Sequence, residues 1–296
     1  MRIGVIDGRL AVVRGDVAVD VEVASDGRFG ADPIAVFERW RSFVDWASGI
    51  DVDGFALQPS KLQNPVPGPR QVFGVGANYL SHIEEAGAKV PSAPLIFTKY
   101  PTCLTGPRDD VPLPSQTVDW EVELVAVIGI RAERVSEGAA WAHVAGLTVG
   151  QDITERVIQF SGPAPQFCMG KSFRGFGPLG PLLVTPDEFS DPGDIALGCA
   201  VDGQTMQDGR TSDLIFSVPE LIARLSAVCP LLPGDVIFTG TPAGVGMFRT
   251  PGVFLTPGQT LTSWVEGIGE LRNRMIAGPD YPAATVAAGT TTPEEH

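Results

Sequence analysis

The chain has 296 residues, 44% of them apolar and 8% aromatic, enough to enclose a sizeable core in two domains. Its 21 basic and 35 acidic residues give a net charge of −14 with no basic cluster, so phosphate-backbone recognition has no electrostatic footprint and no nucleic-acid partner is expected. No apolar run approaches the ~20 residues of a membrane span, and MRIGVIDGRL lacks a signal peptide's apolar core, so a soluble, cytoplasmic protein without membrane contact is expected.

The short alternating runs MRIGVID, RLAVVRG and DVAVDVEV, separated by DG and RGD turns, predict a small antiparallel unit. A helix follows, with Asp32 as its cap, Pro33 in its first turn, Phe37, Trp40, Val44 and Ala47 on one face, and Gly49 at its end. The proline-rich LQPSKLQNPVPGPRQ is expected to be a linker. Cys103, Cys168, Cys199 and Cys229 show no C-x-x-C spacing and are expected to be buried, reduced thiols.

QVFGVG then predicts a strand leading into NYLSHIEEAG, where Asn78 can cap a short helix that places His82 and Glu85 on one face. A carboxylate beside an imidazole orients it as a general base; a solvated surface histidine is the equal alternative. Of the three histidines, His143 lies in an Ala-rich helical stretch and His296 ends a polar tail, so His82 is the candidate for imidazole chemistry. The stretch from Tyr79 to Val90 has few large apolar anchors and is expected to act as a mobile lid.

PLIFTKYPTCLTGP reads as a strand with Lys99 near its end, and DWEVELVAVIG as a strand with Glu121 and Glu123 on one face and Val122, Leu124 and Ala126 on the other. Two acids on one face of an apolar strand repel each other and resist burial unless a cation lies between them, so the choice is a metal site or a solvated sheet face. A short helix from Ser136 to His143 and the strand VAGLTVGQD follow, ending at Asp152. With helical character in TERVIQF, Asp152, Arg156 and Gln159 would share a face, as parts of a site.

In MGKSFRGFGPLGPLLVT, Lys171 is either an oxyanion partner or a surface lysine, and the sequence favours the surface. A hairpin at Val201 to Gln204 precedes SVPELIARLSAV, a helix with Ser217 and Glu220 as a capping box and Leu221, Ile222, Leu225 and Val228 as its buried stripe. The loop Thr239 to Gly246 offers hydroxyls and backbone N–H groups to a carboxylate, or is simply a tight turn. LTSWVEGIGELRNRM predicts a closing hairpin, and the chain from Ala277 a mobile tail.

NYLSHIEEAG, PLIFTKYPTCLTGP, DWEVELVAVIG, VAGLTVGQDITERVIQ, GKSFRGFGPLGP and PGDVIFTGTPAGVG, in this order and at this spacing, resemble the fumarylacetoacetate hydrolase family over about Gln71 to Met275. The resemblance implies an α+β, mostly β fold: a mixed β-roll catalytic domain over residues 69–276, a small N-terminal α+β domain over 1–68, and a flexible tail over 277–296. It implies a homodimer that binds Mg²⁺ or Mn²⁺ and acts on a small 2-oxo acid or β-diketone. By the matching motifs, Glu121, Glu123 and Asp152 correspond to metal ligands, His82 and Glu85 to the catalytic dyad, and Lys171 to the group facing the substrate oxygen. Arg156, Gln159 and Thr241 fall at substrate-side positions.

Two departures stand out. Thr154-Glu155-Arg156-Val157 replaces the family's usual S-A-R-D, and Lys171-Ser172-Phe173-Arg174 replaces K-x-F-D, which adds a positive charge, Arg174, expected near the site. The expected activity is hydrolysis of a C–C bond in an acylpyruvate or related 2,4-dioxo acid, with the departing enolate stabilised by the cation and by Lys171. Decarboxylation of an oxaloacetate-type acid, hydratase or isomerase activity, and an inactive metal-stabilised binding protein are the alternatives.

Overall fold

The computed structural model describes residues 1–279. Ten strands form the path of a 12-stranded mixed sheet. From one edge these are Phe55–Ala56, Val17–Asp20, Arg9–Arg14, Arg2–Ile6, Gly177–Val184, Val144–Gln151, Val122–Ile128, Val236–Phe238, Val72–Gly76 and Leu95–Thr98. Neighbours on this path are antiparallel except Val236–Phe238 and Val72–Gly76, which run parallel. A second, five-stranded sheet runs Gln204–Arg210, Ala196–Val201, Thr260–Val265, Gly269–Ala277 and Val111–Leu113. Strands dominate and helices are short, an α+β, mostly β architecture.

The strand Val122–Ile128 is buried along its whole length because both of its faces have a core to enter. Val122, Leu124, Ala126 and Ile128 join Leu147, Leu197, Leu261 and Leu271 in one core. Val125 and Val127 point the other way, into a second core with Leu10, Val12, Phe37, Trp40 and Phe43 of the N-terminal unit. Alternation along the strand thus feeds two hydrophobic layers rather than one layer and solvent.

The N-terminal strands form the expected antiparallel unit, with Asp7 and Gly8 both at positive φ in the first turn. The unit adds directly to the large sheet, where Arg2 and Ile3 pair with Val184 and Leu183. The proline-rich stretch 57–71 is no free linker: Leu62 and Gln63 pair with Ile6 and Val5, and Val66 is fully buried. The following helix begins later than the sequence suggested. Asp32 receives the Ile34 N–H at 3.0 Å, a 3₁₀ turn spans Ala35–Arg39, and the α-helix runs Trp40–Ser48.

Other expectations also need correction. The helix Val218–Val228 is capped by Ser217 Oγ, but Val228 is exposed at its open end instead of completing the apolar stripe. The Glu220 carboxylate turns to Arg224 rather than back to the cap, so only half of the capping box forms. Cys103 and Cys199 are buried, whereas Cys168 and Cys229 are half-buried, and all four are free. The segment Glu137–His143 is a 3₁₀ helix, and the closing hairpin forms from Thr260–Val265 and Gly269–Ala277. Ala277 is the last residue of that hairpin, and the expected tail from 280 onward lies outside the described residues. Among the described residues, no helix is long and apolar enough to cross a membrane.

Candidate metal centre and active site

The strand register builds the acidic cluster. Val122 pairs with Gln151, and the Asp152 N–H donates to the Glu121 carbonyl at 2.9 Å, so the head of one strand and the end of the next meet. Glu121, Glu123 and Asp152 are all buried, and one ligand oxygen from each lies within 4.8 Å of the others. Buried acids at this separation require compensating positive charge.

Part of that charge comes from the chain itself. Lys171 Nζ donates to Glu121 at 2.9 Å, to Asp152 at 2.6 Å and to the Thr154 hydroxyl at 2.8 Å. Lys171 is thus a buried member of the cluster and not the surface lysine the sequence favoured. Lys99, also buried, donates to the other Asp152 oxygen at 2.6 Å and to the carbonyls of Lys171 and Phe176. Arg156 reaches Glu121 at 2.7 Å, Asp119 at 2.6 Å and the Gln159 side-chain oxygen at 2.8 Å.

These cations divide the acids into two kinds. Burial alone would push the Glu121 carboxyl up, but Lys171 and Arg156 outweigh it and hold it down at about 2. For Lys171, burial works against the charge, yet Asp152 and Glu121 prevail and raise its affinity for the proton. Burial pushes Asp119 up to about 6 despite Arg156. Glu123 makes no ion pair among the described residues: burial first, then the neighbouring Asp152 and Glu121 charges, push its carboxyl well above the usual range against the pull of Lys171. The Gly240 N–H, 2.7 Å from Glu123 Oε2, is its hydrogen-bond donor. An ion held by three carboxylates would supply the charge that Glu123 lacks, and hard divalent cations favour such all-oxygen donor sets. The residues present fit the expected metal.

Asp152, Arg156 and Gln159 come together, but not along one helical face. Thr154–Glu155 pairs instead as a short strand with Val118–Asp119, and the helix is only Arg156–Gln159, with its N-terminus capped by the Glu155 carboxylate. Asn78 does not cap the next helix either. Its amide nitrogen donates to the Phe216 and Thr239 carbonyls and its oxygen accepts the Phe216 N–H, which pins three segments together below the site.

The helix Leu80–Glu85 carries the dyad. His82 Nδ1 is 3.4 Å from Glu85, whose other oxygen accepts the Gly244 N–H at 2.9 Å. Burial raises the Glu85 carboxyl, but His82 and the Gly244 and Val245 N–H groups outweigh it and hold the group below its ordinary value. The imidazole stands edge-on to Phe248, with ring centres 5.4 Å apart. Tyr79 and Ile83 are buried, so the first half of the expected lid is anchored, and the continuous exposed run begins at Ala86.

A cavity of about 270 Å³ opens beside this network. Its polar lining is His82, Glu121, Arg156, Gln159, Lys171 and Thr241, while Glu123 and Asp152 are not part of the lining. Its volume falls below the ~300–1,000 Å³ of drug-sized ligand sites, which suits a small substrate. Arg174 is exposed and outside the cavity lining, so the extra charge expected there is absent. The Thr239–Gly246 loop does bind carboxylates, but they are the protein's own, Glu123 through Gly240 and Glu85 through Gly244. Thr241 spends its hydroxyl proton on the Val122 carbonyl and accepts from Gln207, so it can only accept from a ligand.

Four supporting residues were not recognised as site residues in the sequence: Lys99, Asp119, Gln151 and Gln207. Asp119 had a readable signal, since Asp119, Glu121 and Glu123 repeat at the two-residue period. Gln151 and Gln207 accept the backbone N–H groups of Glu121 and Val122 at 2.9 Å each, across 30 and 85 residues, and no local pattern announces such contacts.

The family model for the fumarylacetoacetate hydrolase C-terminal domain matches residues 71–276. The chain is 44% identical over 214 residues to "Oxaloacetate tautomerase FAHD2A, mitochondrial" of Homo sapiens, covering 72% of this chain and 68% of that protein. Among solved structures, a fumarylacetoacetate hydrolase from Exiguobacterium antarcticum is similar at 33% identity and TM-score 0.81, covering 94% of this chain and 99% of the other. The maleylpyruvate hydrolase of Sphingobium sp. SYK-6, solved with manganese(II) and pyruvate, is similar at 29% identity and TM-score 0.74, covering 94% of this chain and all of the other. By its motifs, its fold and this match across most of its length, the chain belongs to the fumarylacetoacetate hydrolase family.

Proposed function

We propose that this protein is a Mg²⁺- or Mn²⁺-dependent hydrolase that breaks the C–C bond of an acylpyruvate or related 2,4-dioxo acid. The observation that carries the reading is that His82, backed by Glu85, lines the same small cavity as Lys171 and Glu121. Glu121, Glu123 and Asp152 would hold the metal. A bound divalent cation would orient the 2-oxo carboxylate and withdraw electron density from the 2-oxo oxygen.

His82 would take a proton from water, with Glu85 holding the ring tautomer. The hydroxide adds to the distal acyl carbon, the bond between that carbon and its methylene neighbour breaks, and the electron pair passes to the pyruvate enolate. The Lys171 ammonium stabilises the enolate oxygen through its charge, its three N–H groups being held by Glu121, Asp152 and Thr154, and His82 returns its proton to the methylene carbon. The products are pyruvate and a carboxylic acid.

The likeness to an oxaloacetate tautomerase supports a second reading, keto–enol exchange of oxaloacetate, in which His82 moves a proton between oxygen and carbon and no water attacks. The two separate in one assay with Mn²⁺. Pyruvate and carboxylic acid in equal amounts from an acylpyruvate support the hydrolase, whereas enol loss from oxaloacetate without C–C cleavage supports the tautomerase. Inactivity toward both substrates, with Mn²⁺ or Mg²⁺ present, would sink both readings.

A further inference from the structure

Four of the six polar lining residues of the cavity are tied to one another: Lys171 to Glu121, Glu121 to Arg156, and Arg156 to Gln159. They therefore form one patch at the acid cluster. Its cations are already committed, because one guanidinium faces the carboxylates of Asp119 and Glu121, and Lys171 faces those of Glu121 and Asp152. Beside His82 and Thr241, the rest of the wall is apolar, with Val75, Ile83, Phe160, Phe167, Met247 and Phe248 among its residues. Phe160 and Phe167 meet edge to face at 6.1 Å, and Phe167 packs in turn on Phe97, so this part of the wall is aromatic.

Taking the 2-oxo acid reading as its basis, we infer that the site selects substrates whose chain beyond C4 is uncharged and apolar, and rejects those ending in a second carboxylate there. A carboxylate at C6, placed on the apolar part of the wall, would leave water for Val75, Ile83, Phe160, Phe167, Met247 and Phe248, none of which can receive its charge, a large penalty for an ion. An alkyl or aryl group at the same place loses only apolar contact with water, and each buried methylene contributes roughly fourfold to affinity. Oxaloacetate is no exception, because its second carboxylate is C4 itself and stays at the polar patch. The exposed Lys89, next in the chain to the lining residue Ala88, and Arg249, next to the lining residue Phe248 with its guanidinium on the Met206 and Gly244 carbonyls, are the nearest basic residues in sequence to the apolar wall.

The test is calorimetric binding of two six-carbon acids, 2-oxohexanoate and 2-oxoadipate, to the full-length protein loaded with Mn²⁺. The two differ only at C6. 2-Oxohexanoate should bind at least tenfold more tightly. Phe160→Arg, at a half-exposed position on the wall, should narrow or reverse that ratio by placing a cation there. Equal or tighter binding of 2-oxoadipate to the wild-type protein overturns the inference, whether or not Phe160→Arg folds. If that preference vanishes in Lys89→Ala, the distal receptor is Lys89. Binding of neither acid would instead remove the 2-oxo acid reading on which the inference rests.

Discussion

The backbone N–H of Gly240 donates to the carboxylate of Glu123 at 2.7 Å, and Gly240 does so from φ +108, where a side chain is strained. A Cβ at this position would also come within 2.8 Å of Asn78 Cβ. Glu123, which makes no ion pair among the described residues, is thus held by a residue that conformation and space both restrict to glycine. Gly240→Ala should cost on the order of 1–3 kcal/mol of stability and weaken Mn²⁺ binding, because the strained backbone must move the N–H away from Glu123. Thermal unfolding and metal calorimetry on the same variant check both parts, and unchanged metal affinity would separate Gly240 from the site.

Lys99 is enclosed with Asp152 and two backbone carbonyls. Replacing it by methionine keeps much of the volume but takes one of two cations from the buried Asp152 carboxylate and leaves one of its oxygens and two carbonyls without their donor. Lys99→Met should destabilise the metal-free protein by roughly 3–5 kcal/mol, the scale for removing one partner of a buried pair. Urea unfolding measures it, and a loss under about 1 kcal/mol would show that water replaces the ammonium.

Metal and proton should compete at Glu123. Its folded-state affinity for the proton is raised above the ordinary value of 4.5 by burial, Asp152 and Glu121, so the folded protein binds a proton that the unfolded chain has lost. The stabilising contribution is therefore full at low pH and disappears as pH rises through the raised folded value. Metal-free protein should lose stability across that window, and metal-loaded protein should lose less. In the same window Mn²⁺ binding should release protons, seen as a dependence of the calorimetric enthalpy on buffer ionisation heat. An enthalpy independent of buffer would contradict it.

His82→Ala should lower acylpyruvate cleavage by ~10²–10⁴-fold, the usual contribution of a general base, with metal affinity unchanged. A variant that still cleaves at nearly the wild-type rate with metal bound would mean that His82 is not the base. Glu85→Gln should give a smaller loss, because the amide oxygen can still accept from the imidazole but brings no charge.

What the sequence revealed followed from short-range geometry. The alternation in DWEVELVAVIG placed Glu121 and Glu123 together, and three-residue spacing placed His82 near Glu85. Failures came where distant segments compete for a residue. Asn78 has the chemistry of a helix cap, but buried backbone groups of Phe216 and Thr239 claim its amide instead. TERVIQF has helical periodicity, yet Thr154 and Glu155 find strand partners at Val118 and Asp119, which shortens the helix to four residues. Arg174 lies near Lys171 in sequence but on the exposed side of its turn, and spacing alone does not set that direction.

The N-terminal unit shares a boundary with the chemistry. Trp40 rests where a side chain on Gly129 would come within 2.6 Å of its ring, and its neighbours in the second core close over Val125 and Val127, further along the strand face that carries Glu123. Removing residues 1–68 would therefore open two wounds at once. The strand Gly177–Val184 would lose the pairing at Leu183 and Val184 and offer those backbone groups to other chains. The strand that carries Glu123 would meet water at Val125 and Val127, on the same face as the acids, so substitutions in this distant unit would tune metal affinity without touching a ligand.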